Sequence, residues 1–102
     1  LDILLIAYGF TARSALGAVR QARADGIKAG LLRLTTLWPF PAQVVRSIAQ
    51  RAQVVLVPEM NRGQMLREVQ REVPAARGYH RTDGEVITMP ELVAAAKKEL
   101  GR

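Results

Sequence analysis

The sequence predicts an α/β fold built on a doubly wound, mainly parallel sheet, and three observations predict it. Three times an apolar run ends in a short loop holding Gly or Pro, and an amphipathic stretch of helical period follows. The apolar runs are continuous rather than alternating, as strands covered on both faces are. Each helical stretch carries the chain back across the sheet, so successive strands pair in parallel. At 102 residues the chain is large enough for one core without staples. We therefore expect a single domain over residues 1–102.

The first strand is Ile3 to Tyr8, followed by the loop Gly9-Phe10-Thr11 and a helix from Ala12 to Asp25. That helix places Ala12, Ala15, Leu16, Val19 and Ala22 on one stripe, with Arg13, Arg20, Gln21 and Arg23 opposite. Thr11 is the expected N-cap and Gly26 the expected C-cap. The second strand, Gly30 to Leu34, leads through Thr35–Pro41 into a helix over Ala42 to Arg51. Its start at Pro41 suits a first turn, and Val44, Val45, Ile48 and Ala52 are expected inward. The third strand, Val54 to Val57, passes through Pro58–Gly63 into a helix from Gln64 to Val73. Asn61 is its candidate cap, and Met65, Leu66, Val69 and Val73 face in, before Pro74 ends it.

Arg77–Arg81 is expected as a weaker edge strand, Thr82–Glu85 as a turn and Val86-Ile87 as a short extended piece. Thr88-Met-Pro-Glu91 matches a capping box, in which hydroxyl and carboxylate each satisfy an orphan backbone N–H. The last helix, through Leu100, is expected to bury Leu92, Val93, Ala96 and Leu100, with Lys97 and Lys98 suiting its C-terminal dipole.

The bulk numbers bound the chemistry. A hydrophobic fraction of 49% and a mean hydropathy of +0.04 fit a soluble globular chain, and no run reaches transmembrane length. Only Leu1 and Asp2 precede the first strand, with no initiator Met and no leader. We expect a cytoplasmic fragment of a longer polypeptide. The chain has no Cys, which removes disulfides, thiolate nucleophiles and iron–sulfur ligation. A single histidine, His80, makes a zinc site unexpected. The net charge of +6 suits an anionic partner, yet neither aromatic-rich strands nor helix-turn-helix spacing accompanies it. No nucleic acid and no membrane are expected as partners.

Ligands of open parallel sheets sit beyond the carboxyl ends of the strands. Gly9, Thr11 and Arg13 lie there at a helix N-terminus, where free N–H groups, a hydroxyl and a guanidinium suit a phosphate or carboxylate. Asn61 and Arg62 complete that candidate anion-binding set. The competing reading is an ordinary capped turn, since neither GxGxxG nor GxxxxGK[ST] is present. Trp38, Phe40 and Met60 are candidate interface residues: buried they are packing, exposed they are a docking patch. Glu59 reads as a general base or, better, as a structural ion-pair partner of Arg62 or Arg33. No nucleophile–base–orienter set is present, so no catalytic residue and no metal ligand is assigned.

Leu4–Gly9 with Thr11-Ala-Arg13, Gly26–Leu34 with Thr36-Leu-Trp-Pro-Phe-Pro41, and Val57-Pro-Glu-Met-Asn-Arg-Gly-Gln-Met65 together resemble one family. It is the C-terminal domain of the α subunit of 2-oxoacid:ferredoxin oxidoreductases, of the 2-oxoglutarate or branched-chain type. Arg81–Glu85 and Thr88–Glu91 also resemble the end of that subunit.

The resemblance implies a three-layer α/β/α sandwich like the transketolase C-terminal domain, with strands ordered second, first, third, fourth. An antiparallel edge strand would come from residues before Leu1. It implies a parent enzyme that decarboxylates a 2-oxo acid on thiamine diphosphate and Mg. That enzyme passes electrons through an iron–sulfur cluster to ferredoxin and gives the acyl group to coenzyme A. It also implies that this domain is structural, binds none of these cofactors itself, and packs against other domains of its subunit and against the β subunit. Two alternatives stand beside it. One is an anion- or nucleotide-binding regulatory module of flavodoxin-like form, and the other is the C-terminal domain of another thiamine-dependent enzyme.

Overall fold

Residues 1–35, 39–60, 63–81 and 83–102 are described by the computed structural model. The chain alternates strand and helix throughout: β1 (Ile3–Tyr8), α1 (Gly9–Ala24), β2 (Ala29–Leu34), α2 (Ala42–Ala49), β3 (Val54–Glu59), α3 (Gln64–Glu72), β4 (Arg77–His80) and α4 (Met89–Glu99). The four strands form one sheet in the order β2-β1-β3-β4, every pairing parallel. This is the expected order, and it places β1 and β3, the most apolar strands, at the centre.

Successive side chains of a strand point to opposite faces, and β1 buries both sets. Ile3, Leu5 and Ala7 pack with Ala15, Val19 and Leu92 under α1 and α4. Leu4 and Ile6 pack with Val45, Val57, Met65 and Val69 under α2 and α3. The result is the three-layer α/β/α sandwich. α1 meets the sheet through small residues, which lets the helix lie close to β1.

Several local expectations change. α1 starts at Gly9, three residues earlier than expected, with Tyr8 as N-cap. Gly9 has φ +59°, a left-handed conformation that only glycine adopts without a Cβ clash. That turn brings Thr11 onto the inner stripe, where it is buried and caps nothing. Leu16 falls off the same stripe and is 40% exposed. On α2, Val45 is fully buried whereas Val44 is 49% exposed, so the helix faces the sheet through one valine rather than two. Val86 and Ile87 form no strand. Ile87 nevertheless plugs the α1–α4 core, and Val86 points out. The Thr88–Glu91 capping box forms as expected.

Both termini lie at the amino edge of the sheet. Asp2 N–H donates to Lys28 O at 2.7 Å, and Arg102 reaches the Asp2 carboxylate at 3.9 Å. The opposite, carboxyl edge carries the loops that matter for function.

Candidate functional site

Three strand-to-helix junctions meet at the carboxyl edge, and their helix starts are finished differently. α1 has no side-chain cap and no acidic residue in its first turn. α2 likewise has neither. α3 is satisfied from a distance: the Glu59 carboxylate at the end of β3 accepts Met65 N–H at 3.0 Å and Leu66 N–H at 2.9 Å. Glu59 is 1% exposed. A buried carboxylate at a helix N-terminus gains both charge-assisted hydrogen bonds and the favourable end of the helix dipole.

Beside Glu59 in register on β4 stands His80, whose Nδ1 is 3.9 Å from Glu59 Oε2. The imidazole packs over Gly78 and next to Gly63, and Gly63 itself has φ +89° just before α3. The expected ion pair of Glu59 with Arg33 does not form. Arg33 is in register with Ala7 on the α1 face of β2, whereas Glu59 points to the α3 face. Arg62 lies outside the described residues, as do Asn61 and Trp38. Both Glu59 oxygens thus accept from the start of α3, with His80 beside Oε2.

Of the candidate anion set, Gly9 and Arg13 are on the surface at the head of α1, while Thr11 is turned inward. Of the candidate interface set, Phe40 is half-buried against the α2–α3 core and Met60 half-buried against the α1–α4 core. They therefore lie on opposite faces of the sheet. Phe10, which carried no expectation, is 79% exposed in the first turn of α1. Its signal was available: at helical spacing Phe10 falls off the stripe of Ala12, Ala15, Val19 and Ala22.

A second polar group ties β4 to α4. Tyr79 Oη donates to Glu91 Oε2 at 2.5 Å, and Arg81 donates to Glu91 Oε1 at 2.7 Å. Thr88 N–H donates to the same Oε1 at 2.8 Å. The Tyr79 hydroxyl, the Thr88 N–H and the Arg81 guanidinium hold the Glu91 carboxyl down to about 2. In return, Glu91 raises the Tyr79 phenol above its ordinary range. Arg81 also grips Asp83 through Nε at 2.9 Å, which lowers the Asp83 carboxyl. These groups satisfy one another and cross-link a loop. Among the described residues no three His, Cys, Asp or Glu side chains are grouped as a metal site.

A four-stranded parallel sheet ordered β2-β1-β3-β4 between two helix layers defines a transketolase C-terminal-type α/β/α module. Transketolase from Pichia stipitis has this fold, with a TM-score of 0.68 over 98% of the chain and 16% of that protein at 17% identity. The chain belongs to the pyruvate:ferredoxin oxidoreductase core domain II family, whose model matches residues 1–92. It is 52% identical over 69 residues to 2-oxoglutarate synthase subunit KorA of Methanothermobacter thermautotrophicus, covering 68% of this chain and 18% of that subunit. It is 42% identical over 103 residues to ketoisovalerate oxidoreductase subunit VorB of the same organism, covering 98% of this chain and 29% of that subunit. The 2-oxoglutarate:ferredoxin oxidoreductase from Magnetococcus marinus, solved with 2-oxoglutarate, coenzyme A and succinyl-CoA, superposes with a TM-score of 0.91 at 26% identity. That match covers 97% of this chain and 18% of that one. The chain thus spans less than a third of the length of these relatives.

Proposed function

We propose that this chain is the non-catalytic assembly domain of a 2-oxoacid:ferredoxin oxidoreductase α subunit. One observation carries the reading: nearly the whole chain matches a single domain-sized part of a 2-oxoglutarate:ferredoxin oxidoreductase. Its parent converts a 2-oxo acid to an acyl-CoA and reduces ferredoxin in the cytoplasm, using thiamine diphosphate, Mg and an iron–sulfur cluster. The chain's own residues do not fit these groups. It has no thiolate for a cluster, and the buried carboxylate at its carboxyl edge is consumed by α3 and His80. What the domain supplies is shape, as a sheet edge on which other domains of the subunit and the β subunit rest through Phe10, Phe40, Met60 and Trp38.

The test is co-expression of the full-length α subunit with its β subunit, comparing wild type with Phe10→Ser. Reduced co-purification, with 2-oxo-acid-dependent dye reduction falling only in proportion to the assembled fraction, is expected. Turnover by the 102-residue chain alone would sink the reading.

A second reading rests on the uncapped start of α1, with Gly9 and Arg13 exposed beside it. That end suits a phosphate of coenzyme A or of a nucleotide. Calorimetric titration of the chain with coenzyme A at low salt tests it. Binding lost in Arg13→Gln supports it, and no heat removes it.

A further inference from the structure

We propose that the outer face of α1 is a docking strip for an acidic helix of another polypeptide. The strip is a row of exposed residues, Arg13, Leu16, Arg20 and Arg23, spaced i, i+3, i+7 and i+10. That spacing lines the four side chains up along one face of the helix, three cations around one apolar residue. The segment Gly9–Ala24 holds three arginines and no acidic residue. Among the described residues every acidic residue except Glu85 is in an ion pair or against His80, so few carboxylates are free to answer these arginines. Among the described residues Arg13 and Arg20 have no ion-pair partner; Lys28, Arg33, Arg51, Arg67 and Lys98 are also unpaired, but only on α1 do such arginines line up along one exposed helix face with no acidic residue in the helix. Arg23 is held in place by its Nε bond to Ala29 O at 2.7 Å, which fixes the lower end of the row.

Charge chooses the occupant. A second copy brings the same arginines and is repelled. A membrane needs more than the single apolar side chain that Leu16 offers. An acidic helix answers every element. Carboxylates seven residues apart lie about 10 Å apart along its axis, which matches Arg13 and Arg20, and an apolar residue between them covers Leu16. The inference does not depend on coenzyme or phosphate binding at Gly9, because Leu16 and Arg20 lie about two and three turns beyond that residue.

The test uses the isotope-labelled 102-residue chain and a synthetic alanine-based helical peptide with glutamates at i and i+7 and leucine at i+3. Amide shifts confined to residues 13–23 are expected. Arg20→Glu is expected to weaken binding by about tenfold, as a reversed contact charge does, and Arg67→Glu on α3 to leave it unchanged. Circular dichroism confirms that both exposed variants remain folded, and Arg20→Gln repeats the loss without repulsion. Equal sensitivity to Arg67→Glu, shifts spread over α2 and α3, or no binding at low salt would overturn the proposal. So would a short DNA duplex that outcompetes the peptide for the same residues.

Discussion

The carboxylate of Glu59 and the backbone N–H of Leu66 are 2.9 Å apart, seven residues apart in sequence, and join β3 to α3. With Met65 N–H on the other oxygen, one buried side chain occupies two of the free donors of α3. Replacing Glu59 by Gln keeps the volume but offers one acceptor oxygen in place of two. The variant is expected to lose about 2 kcal/mol of stability, the cost of leaving a buried donor unmade beside a lost charge-assisted bond. Urea unfolding with an unchanged slope checks this, and wild-type stability in Glu59→Gln would show that the cap is idle.

Gly78 has no room for a side chain. A Cβ there would come within 2.6 Å of His80 Nε2 and 2.7 Å of Leu66 Cδ2. Gly78→Ala should therefore cost about 1–3 kcal/mol through overpacking. Removing the ring in Gly78→Ala/His80→Ala should restore part of it, so the two changes are expected to be strongly non-additive. Additive losses would mean that the ring is not what fills the space.

The α2 register separates its two valines. Val45→Ala removes two buried methyl groups and should cost about 2 kcal/mol, while Val44→Ala should stay within about 0.5 kcal/mol of wild type. Thermal or urea unfolding of the pair reads the rotation of the helix directly. Equal losses would put both side chains inside.

Acid should loosen the α4 junction. Glu91 is depressed to about 2 by Tyr79, the Thr88 N–H and Arg81, from about 4.3 in an unfolded chain. A depressed acid contributes stability that is fully present above its unfolded value and is lost as pH falls through the folded one. Wild type should thus lose stability between about pH 4.5 and 2. Glu91→Gln should start lower at pH 7 and converge on wild type across that window. Unfolding free energies measured from pH 7 to pH 2 check it, and parallel curves would exclude Glu91 as the source.

The alternation of apolar runs with amphipathic stretches determined the sheet and its parallel sense, while the strand order came from the family resemblance and agrees with right-handed crossovers. The Thr88–Glu91 box was equally legible, since donor and acceptor lie within one turn and need no partner from elsewhere. The candidate site was less so. The backbone of Gly9 turned Thr11 inward, and a helix rotation of one position exposed Val44, because periodicity marks a face without setting its angle to the sheet. Only tertiary structure decided that Glu59 answers α3 and His80 instead of Arg33. A carboxylate's partner depends on which side of a strand it leaves and which element is packed there, and both are settled when the layers close.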